Sequence, residues 1–208
     1  MLDVHPPREK VHSWTQFFIH IAAITIGLLI AIGLEQTVEY FHHRHQLREA
    51  RRELSVEAKD NRGQLTKNLQ AVRTMTAELD ANMALLRATQ TSPAKIGSKL
   101  IYNWIGAWPL DGAWQAVKQN GSLGLMPHKE LHSYTYLYDA IAAVKNSLID
   151  CASSMDRAAA ISRRSPDGNL TARDIEEVVT ATSDAQAKIT YCTDLLRYEE
   201  LGLQTIQH

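Results

Sequence analysis

The run FFIHIAAITIGLLIAIGL, residues 17–34, holds eighteen residues without a formal charge. As an α-helix it would be about 27 Å long, which is close to the thickness of the hydrocarbon core of a bilayer. Trp14 precedes it and Tyr40 follows it, at the spacing of the two membrane interfaces. The pattern predicts a single transmembrane helix with its interfacial flank over residues 14–41, after an N-terminal tail at 1–13.

Two other interpretations of this run stay open. A core helix can be equally apolar, although such a long uncharged run is seldom buried in a chain of 208 residues. A cleaved signal peptide would use Arg8 and Lys10 as its basic region and residues 31–33 as its cleavage site. The apolar stretch is longer than in most signal peptides, and the helical pattern continues straight through it. We therefore favour a retained anchor.

Small residues recur every four positions inside the span, and a ridge of small side chains lets a second helix approach closely. The alternative is that Gly and Ala are simply common in membrane spans. We expect the ridge to pack on a further copy of the chain or on a larger membrane complex. The predicted helix-packing face consists of His20, Ala23, Gly27, Ala31 and Glu35.

Basic residues are concentrated on the C-terminal side of the span. Four arginines lie between residues 44 and 52, whereas only Arg8 and Lys10 precede the span. The positive-inside rule therefore favours a cytoplasmic position for the C-terminal region. If the loop at 162–168 returns to the same level, its two arginines complete a basic collar against anionic headgroups. The collar consists of Arg44, Arg48, Arg51, Arg52, Arg163 and Arg164. The alternative is a solvated face neutralised by neighbouring glutamates, and we favour it.

Residues 42–208 are predicted to form an all-α antiparallel bundle of three long helices with short capping helices. Apolar residues at three- and four-residue spacing over 44–89 predict a direct continuation of the membrane helix. A second helix should cover 127–164, with its proline in the first turn. The third should begin after Thr171, an N-cap residue with Asp174 three positions on. We expect these helices to run alternately away from the membrane and back.

Residues 97–124 break the long-helix pattern and hold three of the four tryptophans. We expect one or two short helices there, the second capped by Asp111 and ending near Gly121, folded over the membrane-distal end of the bundle. Trp104 and Trp108 would share a helix face. Core packing of the aromatic side chains is one interpretation, and a ligand pocket or partner surface is the other. The candidate surface consists of Tyr102, Trp104, Trp108 and Trp114.

The sequence offers little catalytic or metal chemistry. Glu39 followed by His42 resembles half of a di-iron Glu-x-x-His pattern, but the second half is missing. Haem, phosphate-loop and nucleophile-elbow motifs do not occur, and the net charge of −1 argues against a nucleic-acid binder. We therefore predict no metal, no cofactor, no nucleic-acid partner and no enzymatic activity.

The two cysteines, Cys151 and Cys192, fall on the second and third predicted helices. Symmetric pairing of these helices about residue 167 would displace one thiol from the other by about 12 Å, which is beyond the reach of a disulfide. We predict free buried thiols, and these mildly favour a reducing compartment.

The stretch FFIHIAAITIGLLIAIGLEQTVEYFHHRHQLREARREL, within residues 14–54, resembles the N-terminal region of a group of uncharacterised bacterial proteins. In these proteins a single anchor ending in an Ile-Gly-Leu-Leu-Ile-Ala-like run leads into a long charged helix. The match covers about a fifth of the chain. It implies a membrane-anchored helical protein of the bacterial inner membrane and carries no active-site residues.

Three functional hypotheses follow. The leading one is a single-pass anchored interaction or assembly protein that contacts the lipid bilayer and forms a homo-oligomer or joins a larger membrane complex. The alternative is a membrane-tethered ligand-binding or sensory bundle that uses residues 97–124. Because the sequence contains no second span and no output domain, we expect its signal to pass through a partner. A metal-dependent enzyme at the histidines near residue 42 is the third.

Overall fold

The computed structural model describes residues 14–89 and 94–206, so the predicted tail at 1–13 lies outside the described residues. Within the described ranges the chain is all-α. It has four α-helices: α1 (Trp14–Thr89), α2 (Gly112–Gln119), α3 (His128–Ser162) and α4 (Ala172–Thr205). Two short 3-10 helices, Gly97–Lys99 and Ser122–Leu125, and two strands, β1 (Ala94–Lys95) and β2 (Asn169–Leu170), connect them. The chain divides into an N-terminal unit, Met1–Arg48, and a helical unit, Glu49–His208.

The described part of the N-terminal unit is the first part of α1, and its side chains from residue 14 to residue 45 are exposed. This exposure argues against a buried core helix. Of the described helices, α1 alone has a stretch long and apolar enough to cross a membrane. The hydroxyl groups of Thr25 and Thr37 donate to the carbonyls of Ile21 and Gly33, at 2.8 and 2.7 Å. These polar groups are therefore satisfied within the helix, as an apolar environment demands.

In the helical unit, α1 buries one face from Ala50 onwards. The predicted apolar stripe is confirmed at four of its leucines, because Leu54, Leu65, Leu79 and Leu86 are buried. Its other two leucines, Leu47 and Leu69, are half-buried. The same face also buries four polar side chains that an apolar pattern does not include: Glu57, Asn61, Asn68 and Asn82. These four position the candidate functional site.

The predicted alternation of helix directions is wrong. Arg51, near the start of the helical unit, lies 2.6 Å from Glu130 in the first turn of α3. Just beyond the other ends of α1 and α3, the Gly97 N–H donates to the carbonyl of Gly168 at 3.0 Å, so α3 runs in the same direction as α1. The remaining helix, α4, runs the opposite way, because the Arg62 guanidinium donates to the carbonyl of Leu203 near its end.

The return between α1 and α3 is made by residues 100–111, which we call the strap. The strap has no helix or strand of its own and runs along α1 from the level of Asn82 to that of Asn61. The predicted position over the membrane-distal end is therefore wrong. Nine residues of extended chain reach about 30 Å, as far as twenty-one residues of helix. An extended segment therefore covers this distance with fewer than half the residues of a helix.

Helices α3 and α4 begin as predicted and pack closely together. Pro127 is the N-cap of α3, and α4 opens with a capping box in which Thr171 and Asp174 each bond the backbone N–H of the other. Near the far end of α4, a Cβ added to Gly202 would lie 3.0 Å from the Cα of Leu137. A glycine therefore allows the two backbones to approach at this point.

The predicted register between Cys151 and Cys192 is wrong, although both are free and buried. The thiol of Cys192 and, to a smaller extent, burial raise the pKa of Cys151. The contact of Leu137 with Gly202 places the symmetry point of the two helices near residue 170, which brings Cys192 closer to the level of Cys151 than predicted. The segment that connects α3 to α4 includes strand β2, which pairs with β1 and leads to the start of α4. This segment is therefore not a symmetric turn about residue 167.

Candidate functional site: the strap and its asparagines

Three asparagines on α1 hold the strap by its backbone. Asn61 donates to the carbonyl of Leu110 at 2.8 Å and accepts from the N–H of the same residue at 2.7 Å. Asn68 makes the same pair of bonds to Ala107, and Asn82 makes them to Ile101. A side-chain amide carries a donor and an acceptor side by side. Each asparagine can therefore replace one residue of a neighbouring β-strand.

The spacing of the asparagines matches the spacing of the strap. Asn61, Asn68 and Asn82 are separated by seven and fourteen residues, while their partners are separated by three and six. Seven residues of helix rise about 10.5 Å, and three extended residues reach about 10 Å. The two periods therefore stay in step over the whole contact. Met75 is the one position of this seven-residue series on α1 that is not an asparagine. Three strap residues before Ala107, Trp104 comes to the level of Met75.

Glu57 fixes the end of the strap. Its carboxylate accepts the N–H groups of Ala113 and Trp114, at 2.7 and 3.2 Å, and the hydroxyl of Tyr138 at 2.7 Å. Two of the open N–H groups at the start of α2 are thus capped from another helix. Burial and the hydrogen bond to Glu57 both raise the pKa of Tyr138, so its hydroxyl stays protonated as a donor.

The predicted cap of α2 is only partly right. Asp111 stands at the N-cap position, but its side chain bonds no backbone N–H group of the helix. It binds the ammonium of Lys145 on α3 at 2.9 Å, and this bond lowers the pKa of the Asp111 carboxyl. The side chain therefore ties the end of the strap to α3, and Glu57 takes over the capping.

Two of the four predicted aromatic residues belong to the core. The Trp114 ring stacks on that of Tyr138 with centroids 4.7 Å apart, and it is buried. Tyr102 is buried as well, and its hydroxyl lies 2.7 Å from the hydroxyl of Thr182. For these two residues the core-packing interpretation is confirmed.

Trp104 and Trp108 lie together on the strap, but not on a helix as predicted. Their ring centroids are 6.5 Å apart, and Trp108 is 46% exposed. Gly106 makes room for this arrangement, because a Cβ added there would lie 2.4 Å from an atom of the Trp104 ring. The pair remains a candidate contact surface.

The outer side of the strap is apolar except for the exposed Asn103, and the strap has an open edge. No charged residue occurs from Leu100 to Leu110. Among the described residues, none provides a hydrogen-bond partner for the backbone groups of residues 102–106. An exposed apolar edge of this kind pairs readily with another extended segment. The large exposed side chains of the strap are Ile101, Ile105, Trp108 and Leu110.

The predicted basic collar is wrong. Arg51 is paired with Glu130 at the start of α3, whereas Arg164 is paired with Asp174 and Glu177 beyond its end. A helix the length of α3 separates these two groups by about 50 Å. They do not lie at one level because the strap, and not α3, makes the return along the helical unit.

The predicted helix-packing face of the span stays a prediction. Ala23, Gly27 and Ala31 are exposed, and a Cβ added to Gly27 would meet no atom within 4 Å. The His20 ring nitrogen lies 2.7 Å from the carbonyl of Gln16, so this polar group has a partner inside the helix.

The remaining charged groups form no metal site within the described ranges. His43 lies 3.8 Å from Glu39, but no group of three or more metal-ligating side chains occurs there. An open groove of about 920 Å³ follows α3 and α4 and is lined by charged residues that include Arg164, Glu177 and Lys188. The tryptophans do not line this groove.

The chain was compared with known proteins on three levels. No protein-family model, no curated protein and no solved structure matches it.

Proposed function

We propose that the chain is a single-pass interaction protein of the bacterial inner membrane that assembles with further copies of itself and has no enzymatic activity of its own. Residues 14–41 are its anchor, and residues 42–208 form a cytoplasmic helical bundle that bears the assembly surface. The observation that carries the proposal is the strap, whose backbone is bonded to three buried asparagines while Ile105 and Trp108 face outwards.

The asparagines favour a specific role for the strap over a merely structural one. A paired buried amide adds only about 1 kcal/mol, whereas an unpaired one costs about 1–3 kcal/mol. A segment held only by apolar contacts would cover the same face of α1 without the cost of an amide that fails to pair. Fully satisfied buried amides instead specify one position and one conformation. A surface that is fixed before binding avoids the entropic cost of ordering it.

A second copy of the chain suits the strap as its partner. Because residues 100–110 of the strap carry no charge, two straps meet there without charge repulsion, and their open edges can pair as antiparallel strands. The small-residue face of the span offers a second contact between the same two chains. Anchoring would favour this encounter, since two tethered copies share one membrane.

Photo-crosslinking in native membranes tests the proposal. A photoreactive phenylalanine analogue replaces Ile105 on the strap or, as a control, Ile149 on α3, which are 50% and 55% exposed. We expect a crosslinked dimer from position 105 and only background from position 149. The Gly27→Leu variant, which alters the small-residue face of the span, should lower the yield of the crosslinked dimer from position 105. Equal yields at the two positions would contradict strap-mediated assembly.

The alternative function, a ligand-binding sensor, rests on Trp104 and Trp108. Their adjacent, partly exposed indoles could stack on a flat apolar ligand. Titration of the protein with a panel of metabolites, followed by tryptophan fluorescence, checks this function. A saturable change that is lost in Trp108→Leu would favour the sensor, and an unchanged spectrum would count against it.

A further inference from the structure

The connection between α2 and α3 contains an asparagine followed directly by a glycine, at residues 120 and 121. Asn120 is the C-cap residue of α2, and both Asn120 and Gly121 are exposed. Gly121 has a φ of 77°, in the left-handed region that favours glycine. A Cβ added to Gly121 would meet no atom within 4 Å, so the space around this residue is open. The turn can therefore move without displacing a packed side chain.

Asn120 differs from the other asparagines of the chain in the residue that follows it. Of the seven asparagines, only Asn120 precedes a glycine. Because glycine has no Cβ, its backbone nitrogen is the least shielded from the side chain of the preceding residue. Two aspartates also precede a glycine, but there Gly112 lies inside α2 and Gly168 is buried against Ser98. The turn at Asn120 therefore combines an accessible side-chain amide with an accessible backbone nitrogen.

The hydrogen bonds of the turn favour attack on the side-chain amide of Asn120. Its Oδ1 accepts the N–H of Ser122 at 2.9 Å. A donor at this oxygen stabilises the negative charge that develops there when a nucleophile adds to Cγ. The nearest backbone nucleophile is the nitrogen of Gly121, whose N–H donates to the carbonyl of Lys118 at 3.4 Å. This distance exceeds the roughly 2.7–3.2 Å of ordinary bonds, so the nitrogen is held only weakly.

We propose that Asn120 is a site of spontaneous deamidation, with water as the second reactant. The Gly121 nitrogen loses its proton to solvent and forms a bond to Cγ of Asn120. The bond from Cγ to the side-chain nitrogen breaks, and this nitrogen takes up a proton and leaves as ammonia. The remaining five-membered succinimide is opened by water at either of its two carbonyls. Because the reacting groups lie on adjacent residues, ring formation is unimolecular and needs no catalyst from elsewhere in the chain.

The two products change the end of α2 in different ways. Opening at one carbonyl gives an aspartate at position 120, and opening at the other gives an isoaspartate, in which the main chain runs through the former side-chain carbon. Both carry a carboxylate at the C-terminal end of a helix, where the helix dipole disfavours negative charge. In the isoaspartyl product the acceptor for the Ser122 N–H is displaced, and Ser122 is 0% exposed. Hydrogen exchange at Ser122 should therefore accelerate in the isoaspartyl protein.

Incubation of the full-length protein in detergent at pH 6 and pH 8, followed by peptide mapping, tests the site. We expect the peptide that carries Asn120 to convert into two products of equal mass, isoaspartyl and aspartyl, that separate by chromatography. The rate should be several-fold higher at pH 8, because the attacking nitrogen must lose its proton. The internal control is Asn146, an exposed asparagine on α3 that precedes a serine, and its peptide should stay unchanged.

The Gly121→Ala variant should slow the conversion, because its Cβ shields the attacking nitrogen. The matched control is Gly124→Ala, in the same connection but not next to an asparagine, which should leave the rate as it is in the wild type. The wild-type peptide map decides the matter even if Gly121→Ala, at a positive φ, folds poorly. An unmodified Asn120, equal rates at Asn120 and Asn146, or a rate independent of pH would overturn the proposal. The reaction depends on neither the membrane anchor nor the assembly of the protein, so its failure leaves the proposed function standing.

Discussion

The most unusual single residue of the helical unit is Glu199. Its side chain is 0% exposed on α4, and neither carboxylate oxygen has a hydrogen-bond partner among the described residues. Burial is the main cause that raises the pKa of this carboxyl to about 7, from 4.5 for an ordinary glutamate. The buried residues Leu196 and Leu203 continue the same face of α4 on either side of it, and a pattern of apolar residues does not register a buried carboxyl between them.

Glu199 should make the protein less stable as the pH rises. Below pH 4.5 the carboxyl is protonated in both the folded and the unfolded protein, whereas near pH 7 the folded protein loses a proton at a buried site. Stability is therefore lost progressively between these values, by about 3 kcal/mol in total. Chemical unfolding at pH 5 and pH 8 should show that Glu199→Gln removes most of this loss.

The neighbouring Glu200→Gln change provides the control, because Glu200 is exposed on the same helix. It should leave the pH dependence of the free energy of unfolding as it is in the wild type. An equal pH dependence in the wild type and in Glu199→Gln would refute the buried ionisation.

At the scale of elements, the long helices were predictable and the strap was not. The capping box at Thr171 and the leucines of α1 follow local rules of sequence. The strap depends on bonds between residues 19 to 49 positions apart, and its two tryptophans four positions apart suggest a helix. The signal that could reveal it is the heptad spacing of Asn61, Asn68 and Asn82 on an otherwise apolar face.

Removal of one asparagine should release the middle of the strap. Asn68→Ala leaves the N–H and the carbonyl of Ala107 without partners and should cost about 1–3 kcal/mol in the free energy of unfolding. Hydrogen exchange at Ala107 should accelerate, while the centre of α3 stays protected. Asn146→Ala, at an exposed position of α3, should change stability by less than about 0.5 kcal/mol. Similar losses in both variants would argue against the amide ladder.

The position of Gly106 on the strap should not accept a side chain. Gly106→Ala places a methyl group 2.4 Å from the Trp104 ring, so the indole or the backbone must move. We expect a loss of about 1–3 kcal/mol and a shift in tryptophan emission. The matched control is Gly124→Ala, where an added Cβ meets no atom within 4 Å. An unchanged spectrum and stability in Gly106→Ala would show that the Trp104 ring is not held against Gly106.

At the scale of the whole molecule, the class of the fold was predictable, but the course of the chain was not. Composition and periodicity indicate an all-α chain with one long apolar segment, as the described residues show. The direction of each helix depends on how the intervening segment crosses the unit. The strap was expected to lie over one end of the helical unit, but it runs along the unit instead. As a result α3 has the same direction as α1. Local propensity gives no information on such a traverse.

The anchor itself should be retained and should hold the protein in the membrane. An uncharged helix of this length inserts stably, and the full-length protein should resist extraction with carbonate. Leu28→Arg adds a charge at the middle of the span, at an insertion cost of about 3 kcal/mol, and should release part of the protein. Val56→Arg, at an exposed site of the helical unit, should release none. Because cleavage of a signal peptide would also free the protein, intact mass must accompany the extraction. A mature chain that begins near residue 34 would exclude the anchor, whatever Leu28→Arg does.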